Sequence, residues 1–452
     1  MKKIRRRKNY NLIKIFILLA LFSTFMTVGY SLFTDKLHIE GEVELEPLVI
    51  ASCNINISDS VIDMSDYSKT ISLTYTLENI TGDLCTVQYS LDDGTTWTDY
   101  TGPFKIYQTT TIKARCIKNE DSSVIGTAER EVKVEVAFFQ NFNGDNTLFG
   151  ITGITKNTIK SISRTTESLT LADIQARIDN GESISLISNT ASDGYTSTVP
   201  IYGWVDASGN FYWWSEAETV YFHPNTKKAF INYSKVESID LSGISTSFVT
   251  DFSSWFWGDT KVETINLNSM DTSNAYTLYG LFYNCQSLLS IDVSSFNTEK
   301  VKNMASMFGN LYAMTGTLEL GNFNTSQVTD MANMFNGSRS LTGINVSSFD
   351  TSNVKDMGRL FASTKSITEI DVSSFVTSSA TNMYGVFSDM SALTTIYAAG
   401  DFDISHATNH NRIFNNDTNL VGGNGTVYDA NHVNGTYAVI DTPTTPGYFT
   451  QR

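Results

Sequence analysis

A phenylalanine recurs about every 26 residues through the second half of the chain, from Phe230 to Phe414. The motif has the form IDVSSFNTEKVKNMASMF between Ile291 and Phe308. A short fixed period is typical of stacked structural repeats, in which each repeat buries its apolar side chains against its neighbours. The sequence therefore predicts a solenoid that presents a long surface to a partner. The closing phenylalanines are Phe256, Phe282, Phe308, Phe335, Phe361, Phe387 and Phe414.

Each repeat combines two hydrophobic periodicities. Apolar residues alternate in the first half, as at Ile291 and Val293, which is typical of a short strand. In the second half they are spaced by three and four, as at Val328, Met331 and Met334, which favours a short helix. The predicted fold class is an LRR-like α/β solenoid, with parallel strands on one face and short helices on the other.

A threonine follows the apolar turn residue of the repeat by two positions in six of the seven repeats. Its hydroxyl can cap the start of a helix, or it can bond the backbone of the neighbouring repeat. Both interpretations are compatible with the pattern. The six residues are Thr246, Thr272, Thr298, Thr325, Thr351 and Thr377.

The segments IDVSSFNTEKVKNMASMF, GNFNTSQVTDMANMF and INVSSFDTSNVKDMGRLF resemble the leucine-rich-repeat-like units of BspA-family bacterial surface proteins. The resemblance covers roughly residues 200–450. It implies a surface-exposed, non-enzymatic, adhesin-like protein that binds an extracellular or host surface protein, or a glycan. The ligands of that family vary, and the sequence has no motif that defines one.

The first 35 residues predict a signal peptide or an N-terminal membrane anchor. Seven Lys and Arg precede the apolar run Ile15–Phe33, and this asymmetry favours a cytoplasmic N-terminus with the rest exported. Cleavage and retention both fit, and contact with a membrane is expected only through this segment if it is uncleaved. The predicted location is therefore extracellular or at the surface of a bacterium.

The rest of the chain is strongly acidic. The net charge is −16, so without the seven N-terminal cations it is −16 − 7 = −23. Such a charge repels nucleic acid, which we exclude as a partner.

Residues 36–50 are a predicted linker or strand, and residues 51–137 predict an antiparallel β domain. The string VQYSLDDGTTWTDYTGPFKIYQTTTIKARCI resembles the Ig-like β-sandwich that accompanies chitobiase-type enzymes. The resemblance implies a spacer. The alternative is a carbohydrate-binding module that uses Tyr89, Trp97 and Tyr100.

Cysteine spacing leaves one pairing open. Cys85 and Cys116 lie on predicted inward strand faces, so they either form a disulfide or remain two buried thiols. Cys285 is predicted to be a packing residue.

Residues 138–229 predict an N-terminal cap for the solenoid. Two aromatic runs flank the turn Asp206–Asn210, which indicates a hairpin, and Leu171–Asn180 predicts a helix with Thr170 as its N-cap. The repeats follow over residues 230–420, and a β C-terminal cap over 421–452.

No catalytic motif is present, so the chain is not predicted to be an enzyme and no cofactor or metal is expected. His406 and His410 have ligand spacing, but His410 occupies an inward position of the repeat. Asp251, Asp330 and Asp356 are predicted to lie in the first turn of the repeat helices.

The outward positions of the predicted strands give the candidate binding surface, which we call the acidic stripe. The favoured function is adhesion to an extracellular protein through this stripe, and a solvated strand face is the alternative interpretation. Trp257 is a further candidate contact, although packing against the N-terminal cap also explains it. The acidic stripe contains Glu237, Asp240, Glu263, Asn266, Asp292, Glu319, Asn345, Glu369, Asp371 and Tyr397.

Overall fold

A computed structural model describes the chain from Ala51 onward, apart from short gaps. The chain divides into two units, residues 1–134 and 135–452. The predicted signal or anchor and the linker fall before residue 51 and lie outside the described residues. Within the described part, no helix is both long and apolar enough to cross a bilayer. The described residues are 51–60, 63, 68–79, 85–140, 154–189, 195–217 and 219–452.

The first unit is built from antiparallel strands that form two sheets around one apolar core. Its described strands are β1 (Ser52–Asp59), β2 (Lys69–Glu78), β3 (Cys85–Ser90), β4 (Thr98–Asp99), β5 (Phe104–Ile106), β6 (Thr110–Lys118) and β7 (Val124–Val132). One sheet has the order β1-β2-β5 and the other β4-β3-β6-β7. Because side chains alternate between the two faces of a strand, Ile71 and Leu73 from one sheet meet Ile112 and Ala114 from the other in the core.

Cys116 forms a disulfide with Cys53, and Cys85 is free. In the register between β3 and β6, Cys116 lies opposite Val87, whereas Cys85 lies opposite Lys118. Cys53 belongs to the other sheet, and its Cα lies 6.3 Å from that of Cys116. Neither of the two alternatives given for Cys85 and Cys116 is right, because alternation gives the face of each strand but not the partner that lies across the core.

The second unit begins with an aromatic segment that continues into the repeats. Its helix α1 (Leu171–Asp179) is capped by the predicted Thr170, whose side chain and that of Asp173 form a capping box. The predicted hairpin at Asp206–Asn210 joins the fourth and fifth strands of this segment. The strands are β8 (Ala137–Phe138), β9 (Ser161–Arg164), β10 (Ile184–Leu186), β11 (Ile201–Val205), β12 (Asn210–Ser215) and β13 (Val220–Tyr221).

The strands of the repeats are short and form several separate sheets. They are β14 (Ser238–Asp240), β15 (Ile244–Ser245), β16 (Thr264–Asn266), β17 (Gly316–Glu319), β18 (Leu341–Asn345), β19 (Glu369–Asp371) and β20 (Thr395–Ala398). After the repeats, β21 (Phe449–Gln451) lies in the predicted C-terminal cap. A mixed sheet has the order β10-β11-β12-β9-β14-β16, and three smaller parallel sheets are β15-β13-β8, β17-β18 and β19-β20-β21. Residues 291–293 of the third repeat form no strand, so the predicted continuous sheet is interrupted there.

The predicted LRR-like α/β solenoid is wrong, because the structure is mostly β and α1 is the one α-helix of the described residues. An α-helix requires φ near −63° at every residue, but two residues in each repeat have φ of 56–79°. They lie two positions before and two positions after the closing phenylalanine. The residues are Ser254, Gly258, Gly280, Asn284, Ser306, Asn310, Asn333, Gly337, Arg359, Ser363, Gly385, Asp389, Arg412 and Asn416.

The segment predicted as a helix instead bonds to the next repeat. At each of the six junctions between the seven repeats, four alternate N–H groups donate to carbonyls of the following repeat. In the third repeat, the N–H groups of Met304 and Phe308 donate to the carbonyls of Asp330 and Met334, at 3.0 and 2.8 Å. Continuous backbone bonding on this side holds residues 230–420 together, and we call this region the repeat stack.

The closing phenylalanines form one column through the repeat stack. Neighbouring rings from Phe230 to Phe414 lie 5.4–5.9 Å apart between centroids, and their planes differ by 2–19°. All eight side chains are fully buried. Each ring therefore packs against the rings of both neighbouring repeats, which makes the repeats depend on one another.

The threonines confirm the second of the two interpretations given for them. Each hydroxyl donates to a backbone carbonyl of the next repeat at 2.7–2.9 Å. In five of the six, the N–H of the same residue donates back to the hydroxyl, as Asp350 does to Thr325. These buried hydroxyls thus complete the backbone bonding between repeats.

Candidate functional site

The structure brings the acidic stripe together only in parts. Parallel pairing places Asp240 beside Asn266 and Asp371 beside Tyr397. It also places Glu319 beside Asn345, and the Nδ2 of Asn345 donates to the Oε2 of Glu319 at 2.8 Å. Asp292 lies in the segment that forms no strand. The stripe is therefore three groups and a separate residue.

The Asp side chains of the stripe have a structural use. The Oδ1 atoms of Asp240, Asp292 and Asp371 each accept the backbone N–H of the residue two positions later, at 2.9 Å. Such a bond closes the turn that follows, and Asn266 and Asn345 accept the same bond at 3.1 and 3.2 Å. Hydrogen bonds from Ser294 lower the pKa of Asp292. Local folding thus explains why Asp and Asn recur at this position.

The remaining members of the stripe have other surroundings. Asp371 also pairs with Arg452 at 2.8 Å, and the Arg452 guanidinium lies 4.8 Å from the centre of the Tyr397 ring. Three further members of the stripe are exposed glutamates. They are Glu237, Glu263 and Glu369.

Trp257 packs on the following repeat. Its ring lies 4.1 Å from that of Tyr283 and 5.9 Å from that of Tyr279 between centroids. It also covers Gly280, where an added Cβ would come within 2.5 Å of the indole. The expected packing against the N-terminal cap is thus replaced by packing that fixes an aromatic cluster on the second repeat.

An open groove of about 520 Å³ lies beside this cluster. Tyr276 and Tyr279 form one side of it, with 48% and 37% of their surface exposed. They are the most exposed aromatic side chains of the described repeats. We call this site the tyrosine groove. It is lined by Ser253, Tyr276, Thr277, Tyr279, Lys302, Asn303 and Thr329.

The bonding between repeats positions these side chains. Thr277 lies in a column of parallel bridges that joins Asp251 to Asn303 and continues to later repeats. Tyr276 and Tyr279 lie on either side of Thr277 in the chain. The backbone N–H of Tyr279 donates to the hydroxyl of Thr277 at 3.2 Å. The Tyr276 hydroxyl donates to the Oδ2 of Asp251 at 3.2 Å. Partial burial, and then the charge of Asp251, raise the pKa of Tyr276.

The same column corrects the role predicted for three aspartates. Asp251, Asp330 and Asp356 lie in no helix, and each Oδ1 accepts the N–H of the residue two positions later, at 2.8–3.0 Å. Burial, and to a smaller extent the charge of Asp356, raise the pKa of Asp330. These acids therefore close turns rather than complement a helix dipole.

Trp257 is a candidate contact on the sequence alone, whereas Tyr276 and Tyr279 are not among the candidates. The sequence feature that could have indicated these two tyrosines is their departure from the repeat pattern. Tyr276 stands where later repeats have Lys302, Thr329 and Lys355, and Tyr279 stands where the third repeat has Ala305. Bulky rings at two variable positions on one side of one repeat indicate a local surface feature.

The aromatic residues proposed for carbohydrate contact in the first unit are engaged internally. Tyr89 stacks on Phe104 at 3.9 Å, and the Tyr100 hydroxyl accepts the N–H of Leu73 at 3.1 Å. The guanidinium of Arg115 lies 4.0 Å from the centre of the Trp97 ring. These contacts account for the three side chains without a ligand.

Among the described residues, no group of three His, Cys, Asp or Glu side chains is arranged to hold a metal ion. The buried acids Asp259 and Asp417 instead occupy the same position in the first and last repeats. Their Oδ1 atoms accept the N–H groups of Tyr233 and Met390, at 2.7 and 2.8 Å. Burial raises the pKa of Asp417 to about 8 and raises that of Asp259 strongly.

The Asp417→Asn variant should be less sensitive to pH than the wild type. Between pH 4 and 8 the folded chain holds a proton on Asp417 that the unfolded chain has lost, so the free energy of unfolding falls as pH rises. The slope is at most about 1.4 kcal/mol per pH unit. Urea unfolding at pH 5, 6.5 and 8 measures it, with the exposed Asp401→Asn as control. Equal slopes for Asp417→Asn and wild type would contradict this account.

Comparison with known families finds one similarity, to a family described as a Mycoplasma protein of unknown function, DUF285. It matches residues 224–319 and again 312–424, which is less than half of the chain. No curated protein and no solved structure matches the chain. The similarity coincides with the repeats, and the family description gives no function.

Proposed function

We propose that this chain is an exported, non-enzymatic surface protein that binds an extracellular partner reversibly through the tyrosine groove. The observation that supports this is the exposure of Tyr276 and Tyr279 beside an open groove, in a region where the other repeat aromatics are packed. Exposed tyrosine rings supply much of the affinity in many binding sites because they bury a large area with few rotatable bonds.

The repeat stack suits this role because it is a rigid support. Four backbone hydrogen bonds and a threonine hydroxyl join neighbouring repeats, so the groove is fixed before a partner arrives. Binding to a preformed surface avoids the entropy cost of ordering loops. Export and surface location are part of the proposal. They rest on the N-terminal charge pattern and on the resemblance to BspA-family proteins.

We propose a smaller role in partner binding for the acidic stripe than the sequence predicts. Its aspartates close turns, and Asp371 is paired with Arg452. Its exposed glutamates are surface charges, and surface charge pairs usually contribute little to binding. We assign them to solubility and to weak, salt-sensitive attraction of a partner.

The test is binding of the full-length protein to immobilised extracellular-matrix proteins and glycans. The double variant Tyr276→Ala/Tyr279→Ala should lose at least about 30-fold in affinity, the effect of one hot-spot side chain of about 2 kcal/mol. Tyr384→Ala is the matched control, because Tyr384 has the repeat position of Tyr279 but lies outside the groove. Unchanged affinity of the double variant would refute the assignment of the site.

A further inference from the structure

We infer that the tyrosine groove binds a neutral glycan, so that the extracellular partner is recognised through its carbohydrate. This inference rests on the proposed function and names the ligand class of the same site. It follows from three properties of the groove: exposed aromatic rings, neutral polar groups beside them, and balanced charge.

Two partly exposed aromatic rings lie in the groove. Tyr276 and Tyr279 come from one repeat and are separated by Thr277, which lies in the column of parallel bridges, and by the buried Leu278. The Tyr279 ring packs beside Trp257, at 5.9 Å between ring centroids and with the ring planes tilted by 32°. The C–H face of a sugar ring packs on an exposed aromatic face, because the electron-rich face attracts the polarised C–H groups.

Polar groups beside the rings can both donate and accept hydrogen bonds. The hydroxyls of Ser253 and Thr277 lie 3.3 Å apart in the groove. Asn303 follows in the next repeat, where its Oδ1 accepts the N–H of Ala305 at 2.9 Å and its Nδ2 donates to the Oδ2 of Asp330 at 3.4 Å. The Thr329 hydroxyl donates to the carbonyl of Lys302 at 3.2 Å, and its lone pairs can accept a further bond. Sugar hydroxyls also both donate and accept hydrogen bonds, so hydroxyl and amide side chains are suitable partners for them.

The charge around the groove is nearly balanced. Exposed Lys302 lines it, and Asp251 lies at its edge in a hydrogen bond with Tyr276. The chain as a whole has a net charge of −16, which disfavours a polyanionic ligand. A hydrophobic peptide segment would favour an enclosed apolar pocket, whereas this groove is open and has hydroxyl, amide and amine groups beside its two tyrosine rings. A neutral polyhydroxylated ligand satisfies all three conditions.

The size of the groove agrees with an oligosaccharide. Its volume of about 520 Å³ lies within the range of sites for small ligands. Because the groove is open at the surface and extends from the first repeat to the fourth, it can take a short stretch of a longer glycan.

The experiment is titration of the full-length protein on an array of neutral and sialylated oligosaccharides, in 50 mM and 500 mM NaCl. We expect binding to a neutral glycan that changes less than threefold between the two salt concentrations. Tyr279→Ala and Asn303→Ala should each weaken it at least tenfold, and Tyr279→Phe should lose less because it keeps the ring. Tyr384→Ala should bind like the wild type, and thermal unfolding checks that every variant is folded.

Three results would overturn the inference. They are binding to no neutral glycan on the array, glycan binding that Tyr279→Ala leaves intact, and binding to a matrix glycoprotein that persists after enzymatic deglycosylation. In the third case, if binding still depends on Tyr279, the proposed function holds but the groove recognises the polypeptide of the partner and not its glycan. If neither glycans nor matrix proteins bind, the proposed function itself fails.

Discussion

Replacing Phe335 by alanine should lower the free energy of unfolding by about 3–5 kcal/mol, the usual cost of removing a buried phenylalanine ring. The ring is fully buried and stacks between two others, at 5.9 Å from Phe308 and 5.5 Å from Phe361. Alanine would remove both stacking contacts and leave a cavity at the centre of the repeat stack. The repeats on either side would lose part of their common core.

Urea unfolding followed by circular dichroism measures this effect. Phe335→Leu is the matched control, since leucine fills most of the volume but cannot stack, and we expect it to lose about 1–2 kcal/mol. A loss below about 1 kcal/mol for Phe335→Ala would mean that the phenylalanine column contributes little to holding the repeats together.

Replacing Thr325 by valine should lower the free energy of unfolding by about 2–3 kcal/mol. The Thr325 hydroxyl donates to the carbonyl of Asp350 and accepts its N–H, both at 2.8 Å. Valine has the same shape but neither bond, so it leaves two backbone groups of the next repeat without partners. Each such group costs about 1–3 kcal/mol when it is buried.

The Thr325→Ser variant distinguishes the contribution of the hydroxyl to stability from that of the methyl group. Serine keeps both hydrogen bonds and should lose about 1 kcal/mol or less, which is the effect of one buried methyl group. The comparison is made at one pH in urea. If valine were as stable as serine or more stable, the threonine hydroxyls would have no role in joining repeats.

The sequence contained enough to predict stacking but not the path of the chain within a repeat. The 26-residue period gave the phenylalanine column, and Thr at a constant position allowed the hydroxyl bonding that the structure confirms. Spacing by three and four also occurs in turns closed by hydrogen bonds between residues three apart, as from Met334 to Met331. Periodicity alone therefore could not distinguish these turns from a helix.

A second pattern in the sequence could have excluded the helix. Positions two before and two after each closing phenylalanine have left-handed φ, and they are occupied mainly by Gly, Asn, Ser and Asp. Gly, Asn and Asp are the residues that tolerate this conformation best. Arg359 and Arg412 occupy it without that tolerance, which weakens the pattern in single repeats.

The proposed binding site differs from the one predicted from the sequence for a related reason. Asp and Asn at the ends of the strands were interpreted as a partner surface, but the same side chains close the turns that follow. Tyr276 and Tyr279 were missed because they depart from the repeat. The sequence also could not predict which cysteines form the disulfide across the core, since only the fold places Cys53 near Cys116.

We propose that the extracellular partner binds to the tyrosine groove and not to the acidic stripe. The most direct test compares the affinities of two full-length variants for the same immobilised matrix glycoprotein. One variant is Tyr276→Ala/Tyr279→Ala, and the other is Glu237→Gln/Glu263→Gln/Glu369→Gln. We predict at least about a 30-fold loss for the first and less than about threefold for the second at 150 mM NaCl. The reverse order of losses would contradict the account.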